Sequence, residues 1–206
     1  MSIIDIAPTR SNLFQLKSSL TFAREGYSIL DKKREVLTIE LMSLVEQTEA
    51  EREKVLGLME EAYRKLELAQ LTMGEEKVEW AALSVNKTME VTVISHGMMG
   101  VPLPNIEGHG SPPELSYSLS DTTVPLDETT LAFRAVLEEI PNLTSLEISV
   151  RRLAREVKKT QRRVNALERI FIPNYEETIR YIVDSLEEQD REEIFRMRWL
   201  KESKEE

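Results

Sequence analysis

The chain has 206 residues, no cysteine and a formal net charge of −10, with 41% hydrophobic, 6% aromatic and 31% charged residues. That balance suits apolar stripes on helices better than a thick globular interior. The missing cysteines exclude disulfides and thiolate metal sites, and the negative balance argues against general binding to a phosphate backbone. The opening MSIIDIAPTRSN has no cationic region followed by a long apolar one, so it does not read as a secretory signal. No apolar run approaches the roughly 18 residues of a spanning helix, so no direct membrane insertion is expected.

In chain order, the first element is a helix over residues 12–78. Ser11 or Asn12 is positioned to cap it, a short polar side chain satisfying free backbone N–H groups. Leu13, Leu16, Leu20, Ala23, Tyr27, Leu30, Arg34, Leu37, Leu41 and Leu44 step by threes and fours. Thr48 and Glu51 carry the register through polar residues, and Val55, Leu58 and Ala62 restore the apolar line. Such spacing keeps one seam facing a partner helix and imposes a left-handed supercoil. An unbroken helix of this span is roughly 100 Å long at 1.5 Å per residue.

Residues 79–126 form an insert that holds four of the seven glycines and five of the eight prolines. Val91 to His96 reads as a strand, and Leu115, Tyr117 and Leu119 with polar residues between them read as a second. The stretch between them, GMMGVPLPNIEGHG, reads as a fixed, shaped loop. It lacks the Gly-Lys-Ser/Thr ending of a phosphate-binding loop and the spacing of a dinucleotide fingerprint. His96 and His109, the only histidines, are too far apart and too short of neighbouring carboxylates to suggest a metal site.

The last element is a helix over 127–202, opened by Asp127 and free of glycine. Leu146, Val150, Leu153, Val157, Thr160, Val164, Leu167 and Phe171 carry its seam. Pro141 and Pro173 interrupt the pattern, and each removes a ladder hydrogen bond, so a kink or restart is expected at each. Arg151, Arg152, Arg155, Lys158, Lys159, Arg162 and Arg163 make a basic run without the aromatic residues that stack bases, and the helix continues into an acidic stretch. A solvated face, or contact with an acidic protein surface, fits the run better than nucleic acid. No nucleophile–base pair is visible, so neither a catalytic residue nor a cofactor is assigned. The expected fold is all-α: a long antiparallel left-handed coiled-coil hairpin with a small irregular or β-hairpin insert at the loop end.

Coiled-coil hairpins serve unrelated adaptors and tethers as well, so the shape alone leaves function open. PTRSNLFQLKSSLTFAREGYSILDKKREVL at Pro8 to Leu37 resembles the opening of the D subunit of V-type and A-type rotary ATPases. KTQRRVNALERIFIPNYEETIRYIVDSLEEQDREEIFRMRWLK at Lys159 to Lys201 resembles the closing half of the same family, and GVPLP at Gly100 to Pro104 is similar to its insert. The resemblance implies a non-catalytic central-stalk axle that couples ATP hydrolysis or synthesis to proton or sodium transport. It implies partners as well: the F subunit in a heterodimer, a hexameric catalytic head of A and B subunits, and a stalk subunit that couples to the membrane ring. It places the chain in the cytoplasm, peripheral to the membrane. Arg162, Arg163, Asn165 and Glu168 are the candidate contacts with the head, and Val101 and Leu103 the candidate contacts with F or the stalk. A coiled-coil adaptor without a rotary role is the alternative.

Overall fold

Two long apolar stripes with charged backs can leave water only by facing each other, and that pairing organises the chain. The computed structural model describes residues 6–84, 89–110 and 122–205, with side chains to Lys201. In order they form α1 (Arg10–Met73), α2 (Glu75–Leu83), β1 (Met89–Met98), β2 (Val101–Gly110), α3 (Val124–Ala166), a π-helical turn (Leu167–Phe171) and α4 (Ile172–Glu205). The two long helical arms pack antiparallel, with the β-hairpin as their insert. Two compact parts can be described separately: one from the chain's ends, up to Val36 and from Val157 onward, the other Leu37–Glu156.

In the terminal part, α1 begins at Arg10, one residue before Ser11 and two before Asn12, the candidate caps. Thr9 does the capping: its Oγ1 accepts the Asn12 N–H at 3.2 Å and its carbonyl accepts the Leu13 N–H at 2.9 Å. Asn12 instead donates its side-chain amide to the Ala7 carbonyl at 2.8 Å. Leu16 and Ala23 of α1 are buried, as are Thr160, Val164, Thr178 and Ile182 of the returning arm. The Thr178 hydroxyl donates to the Asn174 carbonyl at 2.7 Å, which removes much of the cost of its burial. Charged pairs flank this seam in antiparallel order, Arg10 with Asp190 at 3.0 Å and Arg24 with Glu176 at 2.6 Å. These pairs are exposed and add at most about 1 kcal/mol each, so the buried seam does most of the holding.

In the other part, Val55 and Ala62 of α1 meet Val136 of α3, with Leu58, Met59, Phe133 and Leu143 around them. Tyr63 and Phe133 add an edge-to-face contact at 5.5 Å between centroids. Gly74 (φ 88) ends α1, and α2 places Val78 against Ala69 of α1 and Leu126 of α3. Helix therefore runs beyond Gly74 only as a separate short element. Helix α3 starts at Val124 rather than Asp127, with Pro125 in its first turn, where a missing N–H costs nothing. Lys54 bonds Glu139 across the seam at 2.8 Å, and that hydrogen bond holds the Lys54 ammonium above the ordinary lysine value. A raised lysine pKa stabilises the fold below the unfolded value and loses its effect as pH climbs through the folded one. The pair therefore works throughout the neutral range.

The insert differs from expectation. β2 is built from the glycine- and proline-rich stretch read as a loop, and it pairs antiparallel with β1 from Met98↔Val101 to Met89↔Gly110. The turn is two residues long, with positive φ at both Met99 (48°) and Gly100 (81°), as a type I′ hairpin needs. The second expected strand, Leu115 to Leu119, lies outside the described residues.

A two-residue turn makes Met98↔Val101 a bonded pair, and bonded pairs then alternate along the ladder. Pro102 and Pro104 fall on the unbonded positions, where a proline removes no ladder bond. The outward backbone groups of β2 bond to α3 instead. The Pro102 carbonyl accepts from Arg152 at 2.7 Å, and the Ile106 N–H donates to Ser145 Oγ at 2.8 Å. The Ser145 hydroxyl donates in turn to the Pro141 carbonyl at 2.9 Å.

At Pro141 the helix neither stops nor restarts; α3 runs through it. Its ring is buried beside β2, where a Cβ added at Gly108 would lie 2.7 Å from Pro141 Cγ. Pro141, Ser145 and Ser149 form a stripe of compact buried residues at i, i+4 and i+8. Replacing Ser145 with Ala should cost about 1 kcal/mol and speed amide exchange at Ile106, because that N–H loses its acceptor. Gly108→Val should cost roughly 1–3 kcal/mol through overpacking against Pro141. Thermal melts and hydrogen exchange of the two variants check both.

Candidate functional site

The candidate contact residues of the closing arm gather around one local feature. Arg162 and Arg163 lie in the last turns of α3, Asn165 just before its end and Glu168 in the π turn. Arg162, Arg163 and Glu168 are exposed, whereas Asn165 is half-buried. Its Oδ1 accepts from Gln161 Nε2 at 2.7 Å, and Gln161 Oε1 accepts from Arg34 of α1 at 3.2 Å. Arg34 also pairs with Asp31 at 2.7 Å. Asn165 is thus the end of a polar chain tying the two arms together, beside residues open to a partner.

The π turn follows from Pro173. Proline has no N–H to offer the carbonyl four residues back, and its ring crowds that carbonyl in a regular helix. A wider turn with i→i+5 bonding relieves both problems, and here the Ile172 N–H reaches the Leu167 carbonyl.

The wider turn takes up one extra residue, which shifts the seam. Continued regularly from Thr160, Val164 and Leu167, the pattern would put Phe171 and Tyr181 inside. Both are 49% exposed. Beyond the turn Ile172, Tyr175, Ile179 and Leu186 are half-buried, and the fully buried positions are Thr178 and Ile182. The expected unbroken seam through Phe171 is therefore corrected: Phe171 lies outside it, and burial beyond the π turn falls on Thr178, two heptads from Val164, and on Ile182 rather than Tyr181.

Val101 and Leu103 are 6% and 3% exposed. Their side chains are used within the chain, and the outward apolar residues of the hairpin are Val91, Val93 and Ile94 on β1. His96 and His109 sit on opposite strands, facing Leu103 and Glu90, and are not brought together. Among the described residues, no group of three or more His, Asp or Glu side chains could hold a metal ion. Among them, too, no helix is long and apolar enough to cross a membrane.

Large apolar side chains are also exposed near the chain's ends. Phe14 and Phe22 of α1 and Phe195 and Trp199 of α4 all lie open, which marks a surface for other proteins.

A helical hairpin closed along its seam, with apolar groups left outside it and a docked β-hairpin, defines a coiled-coil hairpin protein built for contact with other proteins. Its relatives make the class specific. The family model for the ATP synthase D subunit matches residues 12–202. The V-type ATP synthase D subunit of Thermotoga neapolitana is 43% identical over 199 residues, covering 97% of this chain and 98% of its own length. The A-type ATP synthase D subunits of Thermococcus sibiricus and Methanopyrus kandleri are 38% and 36% identical. They cover 97% and 96% of this chain, and 94% and 86% of their own lengths. The chain belongs to the ATP synthase D-subunit family, the non-catalytic central-stalk component of V/A-type ATP synthases.

If the π turn accommodates Pro173, the two should be removable only together. Deleting Ile170 alone should destabilise the fold by about 3 kcal/mol, because Pro173 then falls in a regular helix. Deleting Ile170 in a Pro173→Ala background should recover most of that stability, because no proline then interrupts the regular helix. Denaturant melts of the single and double variants distinguish the two.

Proposed function

We propose that this chain is the rotor axle of its complex, coupling ATP hydrolysis or synthesis in a head of A and B subunits to proton or sodium transport. It pairs with the F subunit, rests on the stalk subunit joined to the membrane ring, and works in the cytoplasm at the membrane's edge. The exposed apolar groups near its ends carry this reading: Phe14, Phe22, Phe195 and Trp199 leave enough apolar surface in water to require surrounding protein. On this reading that protein is the head, met also by Arg162, Arg163 and Glu168, with Asn165 holding the arms in register behind them. Near the hairpin, Val101 and Leu103 support the contact from beneath, and Val91, Val93 and Ile94 meet F or the stalk.

The coupling is a linkage. An axle whose sides differ touches three catalytic interfaces differently, so each orientation favours a different nucleotide state at each. Reciprocally, nucleotide exchange biases the orientation, and forced turning biases nucleotide affinity. The π turn, with Phe171 and Tyr181 exposed, supplies such a difference between sides.

Titrating this chain, paired with F, into an isolated head should change the ATPase rate and saturate at one copy per three catalytic subunits. Phe14→Ser/Phe22→Ser should weaken that assembly by roughly tenfold or more, since each ring withdraws a large apolar area from water. An unchanged rate together with a stable homodimer would return the chain to the adaptor reading.

A further inference from the structure

The negative charge of the chain is unevenly placed. The part Leu37–Glu156 holds 21 Asp and Glu against 10 Lys and Arg, whereas the chain's ends hold 16 against 17. Within that acidic part, the outer side of α1 carries a second line of 3-4 spacing. Met42, Glu46, Glu49, Glu53, Leu56, Glu60, Tyr63 and Glu67 step by alternating fours and threes, and all are exposed. The line runs about 38 Å along the helix and is turned at least about 100° away from the buried Val55, Ala62 and Ala69.

A solvated helix face commonly mixes the two signs. That of α4 does: Arg191 pairs with Glu187 and Glu188, and Arg196 with Glu192. The line on α1 holds five acids and no cation. Glu46, Glu49 and Glu53 stand at the i,i+3 and i,i+4 spacings where like charges work against a helix. Cations of the same stretch are engaged off the line, Arg52 with Glu147, Lys54 with Glu139 and Lys65 with Glu61, while Arg64 flanks it. Met42, Leu56 and Tyr63 leave more than half of their surface in water. Gly57 lies one turn from both Glu53 and Glu60, in a helix interior where glycine is less stable than alanine. A Cβ built on it would meet nothing within 4 Å. Packing among the described residues therefore gives no reason for a glycine, whereas a second helix lying close against this face does.

We propose that this outer face of α1 is the docking line for a basic amphipathic helix of the F subunit. The inference rests on the heterodimer reading and gives that pairing a surface. Met42, Leu56 and Tyr63 are the apolar contacts, and Gly57 lets the partner's backbone approach. Glu46, Glu53, Glu60 and Glu67 recur every seven residues, so they match Lys or Arg at heptad spacing on the partner. Charges so placed select a partner helix and fix its register. A companion that turns with the axle fits this line better than the head does. A face this long is matched only by a helix that keeps one register, and a wall the axle turns against keeps none. The acids also repel nucleic acid and anionic lipid.

The test titrates the full chain with purified F subunit over a series of salt concentrations. Glu46→Gln/Glu53→Gln/Glu60→Gln/Glu67→Gln should pair at least roughly tenfold more weakly at low salt, as four exposed charge contacts imply. Its pairing should also depend less on salt, while its own melting temperature stays level or rises. Gly57→Leu should raise the melting temperature of the free chain by roughly 2–4 °C and yet weaken pairing at least roughly tenfold, because leucine suits a helix better but blocks close approach. Hydrogen exchange on pairing should slow in F along a helix that carries Lys or Arg.

Either variant pairing like the native chain would overturn the proposal and leave a solvated face. Protection that falls in F on a strand, or on a helix without cations, would overturn it too. If the native chain itself fails to pair with F, the heterodimer reading falls as well, so the two failures are told apart.

Discussion

One constraint governs this molecule: each helical arm carries a single apolar line, and the only way to bury it is against the other arm. Leu16, Ala23, Leu37, Val55, Ala62 and Ala69 on α1 therefore recur at heptad positions. The line is narrow. Many of its buried members are small, such as Ala23, Ala62 and Ala69, so the helices close over little volume and everything outside the line is free to be charged. The seam is given over to packing, in keeping with the non-catalytic central-stalk role of the family.

Because the line is narrow, its phase matters. A residue one place off a heptad position turns about 100° away from its partner. The π turn before Pro173 takes up one residue, and burial beyond it falls on both Thr178 and Ile182. Phe171 and Tyr181 are turned outward by the same step that brings Ile182 fully inside. What looks like a local accommodation of one proline thus bears on which side chains α4, up to Lys201, turns outward.

The hairpin obeys a different rule. A two-stranded sheet has two edges, and isolated hairpins are marginal in water. Here one edge is anchored: the backbone groups of β2 that β1 cannot use reach Arg152 and Ser145 of α3, and Gly108 lets the Pro141 ring approach. Among the described residues no strand pairs with the other edge, on β1, and Val91 and Val93 are exposed beside it. Anchoring one edge presents the other in a defined place, which is how a small insert becomes a contact surface.

Periodicity, with an insert between two seam-bearing helices, was enough to expect that the two arms would pair antiparallel, because 3-4 spacing leaves a seam that needs a partner helix. The closing motif around Arg162 to Glu168, Ile172 and Pro173 was equally legible as a family resemblance, and the relatives from Thermotoga and Thermococcus bear it out. Only the tertiary structure decided the rest. It made a strand of VPLPNIEGHG, since the prolines happen to fall on unbonded positions, something composition cannot reveal. It turned Val101 and Leu103 inward, because β2 lies against α3 and its side chains fill that contact. It moved the seam past Phe171, since whether a helix answers a proline by kinking, ending or widening depends on what its other face must bury.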